Sequence, residues 1–244
     1  MVILLSKIKW ELLLHIITPI LLTKKHKSNK IISILQDKDA NQRGVPSVSE
    51  SFISRKDRII ASAIEIISDS GLSALTTRNL AQKENMSEAL MYKYFGGIDE
   101  VLVEVVDYYC RFDNQIRYTI KAKEGTNIQK LKDYLEAYAT YYDNYYAIST
   151  LMLQYEELLH NMDTRDKIAW CITERLDFIA DLCEKAIESK EIIDLLTPME
   201  LANNITGLVM THILSRRIIY NKRTFKQEMM DNIHKWFELL KYPE

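Results

Sequence analysis

The chain has 244 residues, of which 47% are hydrophobic and 27% are charged, and this is the composition of a folded globular protein. Its formal net charge of −2 at pH 7 excludes a protein that coats nucleic acid indiscriminately. The six glycines and four prolines are few for this length. Because strands usually need more turn residues than that, the sequence predicts an all-α protein.

Charge and composition divide the chain into three parts. Residues 1–50 carry eight Lys/Arg against four Asp/Glu, residues 51–98 carry six against five, and residues 99–244 carry 18 against 25. A polar segment with Gly44 and Pro46 has the composition of a linker. We therefore predict an N-terminal extension and linker (1–50), a small domain (51–98) and a larger helical domain (99–244). The three widely spaced cysteines form no CxxC pair, which fits a reducing cytoplasm and indicates no metal site.

The N-terminal extension begins with a strongly apolar stretch, MVILLSKIKWELLLHIITPILL, and a basic run follows it. The longest uncharged piece, 12–22, falls short of the ~20 residues that a spanning helix needs. A secretory signal is a poor fit, because no small-residue cleavage site follows. Three interpretations stay open: an accessory helix that binds a protein partner, attachment to a membrane surface through residues 1–27, or a tail translated from too early a start codon.

The small domain begins with a predicted helix. Ser54 and Asp57 have the spacing of a capping box, in which each side chain accepts from the other residue's backbone amide. Apolar residues then recur at intervals of three and four, which predicts one buried helix face. Gly71 is placed to end this helix as a left-handed C-cap.

Two further short helices are predicted around a turn. Thr76 or Thr77 can cap the first of them, and Asn85 tolerates the positive φ that a tight turn requires. Ser87 can cap the second, in which Met91 and Phe95 point to the core. This is the spacing of a helix-turn-helix, whose second helix enters the major groove of DNA.

Residues 54–102 resemble the DNA-binding domain of the TetR/AcrR family of bacterial transcription repressors. The matching residues are Ile59 to Ala63, Gly71, Thr76, Thr77, Leu80, Ala81 and the segment MSEALMYKYF. The resemblance implies phosphate contacts, base contacts or both at Thr77, Arg78, Ser87, Glu88, Ala89, Leu90, Tyr92, Lys93 and Tyr94. Two residues depart from the family pattern: Asn85 replaces the usual turn glycine, and Ile98 replaces a lysine that commonly binds phosphate.

From residue 99 to the end, the apolar periodicity predicts six helices, one of them from about Ser149 to His160. The resemblance implies a homodimer in which the last two helices, at about 198–216 and 225–241, pair with their copies. It also implies a pocket for a small-molecule effector among the middle helices. Tyrosines suit a partly polar pocket as well as ordinary helix packing. Our candidates for the pocket are Tyr109, Phe112, Tyr138 and Tyr142.

Together these features predict a cytoplasmic protein that binds a palindromic operator on double-stranded DNA as a dimer. The resemblance implies that it functions as a repressor and is released by an effector of unknown identity. A different class stays open: a structural or cell-organisation factor on DNA, without a small ligand, tethered to a membrane through residues 1–27. An enzyme is not predicted, because the sequence shows no nucleophile–base set, phosphate loop, paired carboxylates or metal-ligand spacing. No cofactor is predicted either.

Overall fold

A computed structural model describes residues 54–219 and 223–243, and the predicted N-terminal extension lies outside this range. Within it, all regular secondary structure is helical, apart from one isolated bridge between Ile192 and Lys241. The all-α prediction is therefore confirmed. We number the α-helices of this part of the chain α1 to α10 in chain order.

The first helix, α1 (Arg55–Ser70), begins and ends close to where the sequence predicts. Ser54 and Asp57 form the capping box, with the Asp57 backbone amide donating to Ser54 Oγ at 3.1 Å. Gly71 follows the helix with φ 84° and ψ 170°. The positive φ explains the glycine, but this ψ lies far from the left-handed helical region, so the predicted left-handed C-cap is wrong in detail.

The next two helices, α2 (Thr77–Lys83) and α3 (Glu88–Met91), are short. Thr76 is the N-cap of α2 and accepts from the Asn79 amide, and Ser87 is the N-cap of α3. Asn85 lies between them with a φ of 51°, as the turn requires. These local signals are sufficient to place the turn because each one satisfies a backbone group or a backbone angle.

The remaining helices are α4 (Ile98–Lys121), α5 (Asn127–Asn144), α6 (Tyr146–Ser149), α7 (Tyr155–His160), α8 (Arg165–Glu188), α9 (Pro198–Ile218) and α10 (Phe225–Leu240). The single helix expected from about Ser149 to His160 is wrong. A 3₁₀ segment, Thr150–Gln154, separates α6 from α7. Apolar periodicity does not distinguish a 3₁₀ turn from an α-helical one over so few residues.

One hydrophobic core runs through the helices on both sides of residue 98. Helix α1 packs against α4, against α6 and against the 3₁₀ segment Thr150–Gln154. The Arg217 guanidinium, near the end of α9, also donates to the Ser68 carbonyl at 2.9 Å. The first three helices are thus held by contacts with the larger helical part, while the division into domains at residue 98 stays a prediction.

The two last helices are joined to α5 through Asp143. Its carboxylate accepts from the backbone amides of Phe225 and Lys226 at the start of α10, at 3.0 and 2.9 Å. It also forms an ion pair with Arg216 of α9 at 3.0 Å. An acidic side chain at a helix N-terminus is favourable because it satisfies free amides and opposes the helix dipole. This arrangement fixes where α10 begins relative to α9.

Candidate nucleic-acid interface

The helix-turn-helix buries one side of α2 and α3 and exposes the other. At most 3% of each core side chain is exposed, and these are Leu80 and Ala81 of α2, Met91 of α3, and Phe95 four residues later. Among the candidate DNA contacts, six are exposed and three are half-buried. The exposed ones are Arg78, Ser87, Glu88, Ala89, Tyr92 and Lys93, and the half-buried ones are Thr77, Leu90 and Tyr94. All nine candidate side chains are therefore at least partly accessible, and their role in contacting DNA stays a prediction.

The third helix is shorter than its sequence suggests. After Met91 the chain continues as hydrogen-bonded turns, with the Tyr94 amide donating to the Met91 carbonyl at 2.9 Å. The Phe95 amide donates to the same carbonyl at 3.1 Å, so Phe95 still reaches the core. As a result, Tyr92, Lys93 and Tyr94 are presented from a tight turn rather than from a regular helix.

The charged residues of the first three helices, α1 to α3, which we call the head, fall into paired and unpaired groups. Lys83 pairs with Glu65 of α1 at 2.8 Å, and Glu84 accepts from the Ser62 hydroxyl at 2.6 Å, so these groups hold α2 against α1. Within the described residues, no ion pair is found for Arg78, Glu88 or Lys93. The two cations on the exposed face are therefore available to an external anion.

The start of α4 already has an acidic side chain on one of the backbone amides that precede it. The N-cap is Gly97, without a side-chain cap, and the Gly96 amide donates to the Glu100 carboxylate at 2.5 Å. Ile98, which stands where the family commonly has a lysine, is half-buried and packs on the core. A phosphate at this terminus would have to compete with Glu100 for the amide.

Sequence reasoning missed the basic first turn of α1. The Lys56 ammonium lies 4.9 Å from the centroid of the Phe95 ring, which places this turn beside the chain that follows α3. This turn has a single acidic residue, Asp57, against three basic ones, Arg55, Lys56 and Arg58. The signal was available, because cations are unfavourable at a helix N-terminus unless an anion compensates them.

The candidate effector residues lie together inside the helical part. Tyr109, Tyr138 and Tyr142 are at most 5% exposed, and the Tyr109 and Tyr142 hydroxyl oxygens are 3.3 Å apart. Phe112 stacks on Tyr141 with a centroid distance of 3.4 Å. None of the four lines the cleft of about 390 Å³ between the start of α4 and the end of α7. Their role in binding an effector therefore stays a prediction.

Sequence reasoning also missed three residues of this cluster: Asp113, Tyr155 and Arg175. Arg175 is 4% exposed, and its guanidinium donates to the hydroxyls of Tyr155 and Tyr109 at 2.8 and 2.9 Å. The signal was an arginine at helical spacing between Ile168, Ile172 and Ile179, where the apolar stripe of α8 predicts an apolar residue.

Two kinds of feature are absent from the described residues. No group of three or more His, Cys, Asp or Glu side chains there is arranged to hold a metal ion. The helices among those residues are also too short or too polar to cross a membrane. Cys110, Cys171 and Cys183 are free and buried.

Comparison with known proteins gives a family match over the helix-turn-helix. Residues 59–105 match the family described as bacterial regulatory proteins, tetR family. No curated protein matches the sequence significantly. Among solved structures, the ketosteroid transcriptional regulator KstR2 of Mycobacterium tuberculosis is similar, with 15% identity, a TM-score of 0.69, and coverage of 78% of this chain and 96% of the other.

Two more solved structures share the fold. PfmR from Thermus thermophilus, described as a TetR family transcriptional regulator, is 17% identical with a TM-score of 0.63, covering 74% of this chain and 97% of the other. FadR from Bacillus subtilis, solved in complex with stearoyl-CoA, is 18% identical with a TM-score of 0.60, covering 74% and 96%. The family match covers residues 59–105, and the solved structures, which include TetR-family transcriptional regulators, show that the larger helical part shares their fold.

Proposed function

We propose that the protein is a dimeric, sequence-specific transcriptional repressor that a small-molecule effector releases from a palindromic operator. The observation that carries this proposal is that Arg78, Tyr92 and Lys93 of the helix-turn-helix are exposed, as are the small residues Ser87 and Ala89 at the start of α3. Small residues let the backbone approach base edges, and the larger polar groups can donate to phosphates and bases.

The base-reading role falls mainly to Arg78 and the start of α3. A guanidinium can donate two hydrogen bonds to guanine, and a carboxylate such as that of Glu88 can accept from cytosine. Leu90 and Ala89 have apolar side chains that suit contact with a thymine methyl group. Thr77, Tyr92, Lys93 and Tyr94 supply hydroxyls or an ammonium group for the DNA backbone.

A homodimer is supported by the outer surface of the last two helices. Along α9 the side away from the core carries Met199, Leu214 and Ile218, which are 41%, 47% and 72% exposed. On α10, Leu239 is 79% exposed. Clusters of exposed apolar residues mark association surfaces. Leu214 and Ile218 lie one helical turn apart, and a second copy of the same surface would cover them with twofold symmetry. A dimer also places two heads on two half-sites, which a palindromic operator requires.

The proposed release mechanism is thermodynamic linkage. One conformation places the two heads at the spacing of the operator half-sites, and the other does not. An effector that binds more tightly to the second conformation favours it, and lowers operator affinity by at most the ratio of its own affinities for the two. The contacts of α1 with α6 and with the segment Thr150–Gln154 supply a physical connection between the middle helices and the head. A likeness in fold to FadR, which was solved with stearoyl-CoA, adds support for a ligand with an apolar part.

Selection of bound sites from random duplexes tests the proposal. We expect an inverted repeat whose half-sites are centred about one helical turn apart or a multiple of it. Recovery of unrelated sequences, at the affinity of bulk DNA, would contradict sequence-specific binding. Recovery of a single half-site without a repeat would contradict the dimeric arrangement and leave the DNA-binding head in place.

A further inference from the structure

The buried cluster around Arg175 has an arrangement that helix packing alone does not require. Asp113 is 1% exposed and lies between two buried arginines, Arg117 and Arg175. Its carboxylate also accepts from Tyr134 at 3.2 Å. Burying a charged group costs free energy unless it is well paired. A guanidinium nitrogen that bonds only to neutral groups therefore indicates where an anionic ligand could bind.

Asp113 contacts Arg175 only at Nε, at 3.4 Å. The two terminal nitrogens of the guanidinium, which form an edge suited to a carboxylate, donate instead to Tyr155 at 2.8 Å and to Tyr109 at 2.9 Å. These two hydroxyl oxygens are 2.5 Å apart. Two acceptor oxygens so close together, each facing one terminal nitrogen, reproduce the way in which a single carboxylate binds an arginine.

The two tyrosines supply no negative charge at neutral pH. Burial raises the pKa of Tyr155 to about 12, although the charge of Arg175 acts in the opposite direction. Burial also raises the pKa of Tyr109 well above its usual value. Both hydroxyls are therefore neutral, and a carboxylate at the same position would bind the guanidinium about twice as strongly as a neutral acceptor does.

The surroundings of this edge are aromatic and apolar, with one unused polar group. The Arg175 guanidinium carbon lies 5.1 Å from the Tyr138 ring centroid, and Met152 is 2% exposed beside Tyr142. The buried Tyr138 hydroxyl has no hydrogen-bond partner within the described residues. Buried hydroxyls without partners are rare and costly, so this group also indicates a ligand that can bond to it.

We propose that the terminal nitrogens of Arg175 bind the carboxylate of an apolar carboxylic acid, and that the acid displaces the Tyr155 hydroxyl to do so. The inference rests on the proposed effector-responsive function and specifies the effector's chemical class. Tyr109 and the Tyr138 hydroxyl bond to the same ligand, and the apolar side chains nearby receive its hydrocarbon part.

Displacement of Tyr155 connects this site with the DNA-binding head. Tyr155 is the first residue of α7 and directly follows the 3₁₀ segment Thr150–Gln154. That segment and α6 pack against α1. Moving Tyr155 away from Arg175 therefore also shifts the segment that packs against α1. The acid then binds with different affinity to the two resulting positions of the head.

Calorimetric titration of the full-length protein without DNA tests the site. The probes are benzoate, phenylacetate, hexanoate and octanoate, each paired with its uncharged amide. We expect at least one acid to bind, and its amide to bind at least ~10-fold more weakly, because the amide lacks the charge that the guanidinium selects. Equal binding of acid and amide, or no binding of any acid to the wild type or to Tyr155→Phe, overturns the proposal.

Two substitutions assign the binding to Arg175 and Tyr155. Arg175→Lys keeps the charge but loses the two-nitrogen edge, and we expect at least ~10-fold weaker acid binding. Tyr155→Phe removes the competing hydroxyl and leaves a guanidinium nitrogen without its acceptor, so acid binding becomes about fivefold stronger or more. A purely structural role for Tyr155 would give the opposite change or none. Tyr118→Phe is the matched control, because Tyr118 is 79% exposed.

The failure of this inference and the failure of the proposed function give different results. DNA binding is measured separately, on a duplex recovered by selection. A protein that binds the duplex selectively but no acid through Arg175 keeps the proposed DNA-binding function and loses the carboxylate site. A protein that binds an acid through Arg175 but no duplex selectively keeps the site and loses the proposed function.

Discussion

At the scale of single residues, mutation can separate the roles that we propose for the exposed side chains of the helix-turn-helix. In the segment 76–97, Arg78 and Lys93 are exposed cations for which no ion pair is found within the described residues. A guanidinium that reads a base contributes discrimination, whereas an ammonium that contacts phosphate contributes affinity for any sequence. The two residues therefore form a matched pair for testing which contacts specify the operator.

Arg78→Ala should relax sequence preference at one base pair in each half-site. The expected loss is about 1–3 kcal/mol of discrimination, because two hydrogen bonds to guanine are removed. Competition binding with duplexes that differ at that position measures the effect. Lys93→Ala is the control, which we expect to weaken binding to all duplexes alike; the same uniform loss for Arg78→Ala would remove it from the base-reading set.

Residue-scale signals also explain what sequence reasoning found and missed. The caps at Ser54, Thr76 and Ser87 are local, since each side chain bonds to an amide three residues away. The role of Arg175 depends on tyrosines 20 and 66 positions away in the chain. No periodic pattern encodes such a contact, so sequence shows only that a charged residue occupies an apolar stripe.

At the scale of elements, helix ends decide how α1, α2 and α3 are placed. Gly71 joins α1 to the chain that leads to α2, and its φ of 84° and ψ of 170° lie in a region that only glycine adopts readily. A Cβ at this position would meet no heavy atom within 4 Å. Any cost of a side chain there is therefore backbone strain rather than steric overlap.

Gly71→Ala should lower the free energy of unfolding by about 1–3 kcal/mol, which is the usual cost of holding another residue in such a conformation. Denaturant unfolding at fixed protein concentration measures it. Gly97→Ala is the matched control, because Gly97 has an extended φ of 174° and a Cβ at that position would have no neighbour within 4 Å. Equal stability of the two variants would show that the strain at Gly71 is absent.

The least predictable element is the segment between α5 and α8. Apolar periodicity predicts one helix from about Ser149 to His160, while the chain forms α6, a 3₁₀ segment and α7. The difference arises because this segment packs against α1 as well as against its sequence neighbours, and tertiary contacts override local preference over such short lengths. The longer helices were predictable because each buries a stripe over several turns.

At the scale of the whole molecule, the proposed dimer accounts for exposed apolar surface and for weak charge on the head. The segment 76–97 carries three Lys/Arg against two Glu. Its affinity for DNA should therefore depend on hydrogen-bond donors held at fixed positions and on the two copies in the proposed dimer. We expect weak nonspecific binding and a modest salt dependence for each head. A phosphate at the start of α4 would have to compete with Glu100 for the Gly96 amide, and Ile98 offers it no charge.

Leu214→Glu should convert the proposed dimer to a monomer at micromolar concentration, because it would bury a charge in the apolar interface that we propose for α9. Leu214 is 47% exposed, so the fold of the single chain should tolerate the substitution. Sedimentation velocity gives the mass, and circular dichroism reports on the fold. Tyr118→Glu, at a 79% exposed position on α4, is the control. A wild-type monomer under the same conditions would refute the dimer.

The stoichiometry and affinity on a selected duplex test the central claim most directly. The account predicts that two chains bind an intact inverted repeat, and that destroying one half-site weakens binding by about 100-fold or more, since specific affinity is far above nonspecific affinity. Both values are obtained from one titration followed by sedimentation. Equal affinity for the selected duplex and a scrambled duplex of the same length would contradict the account.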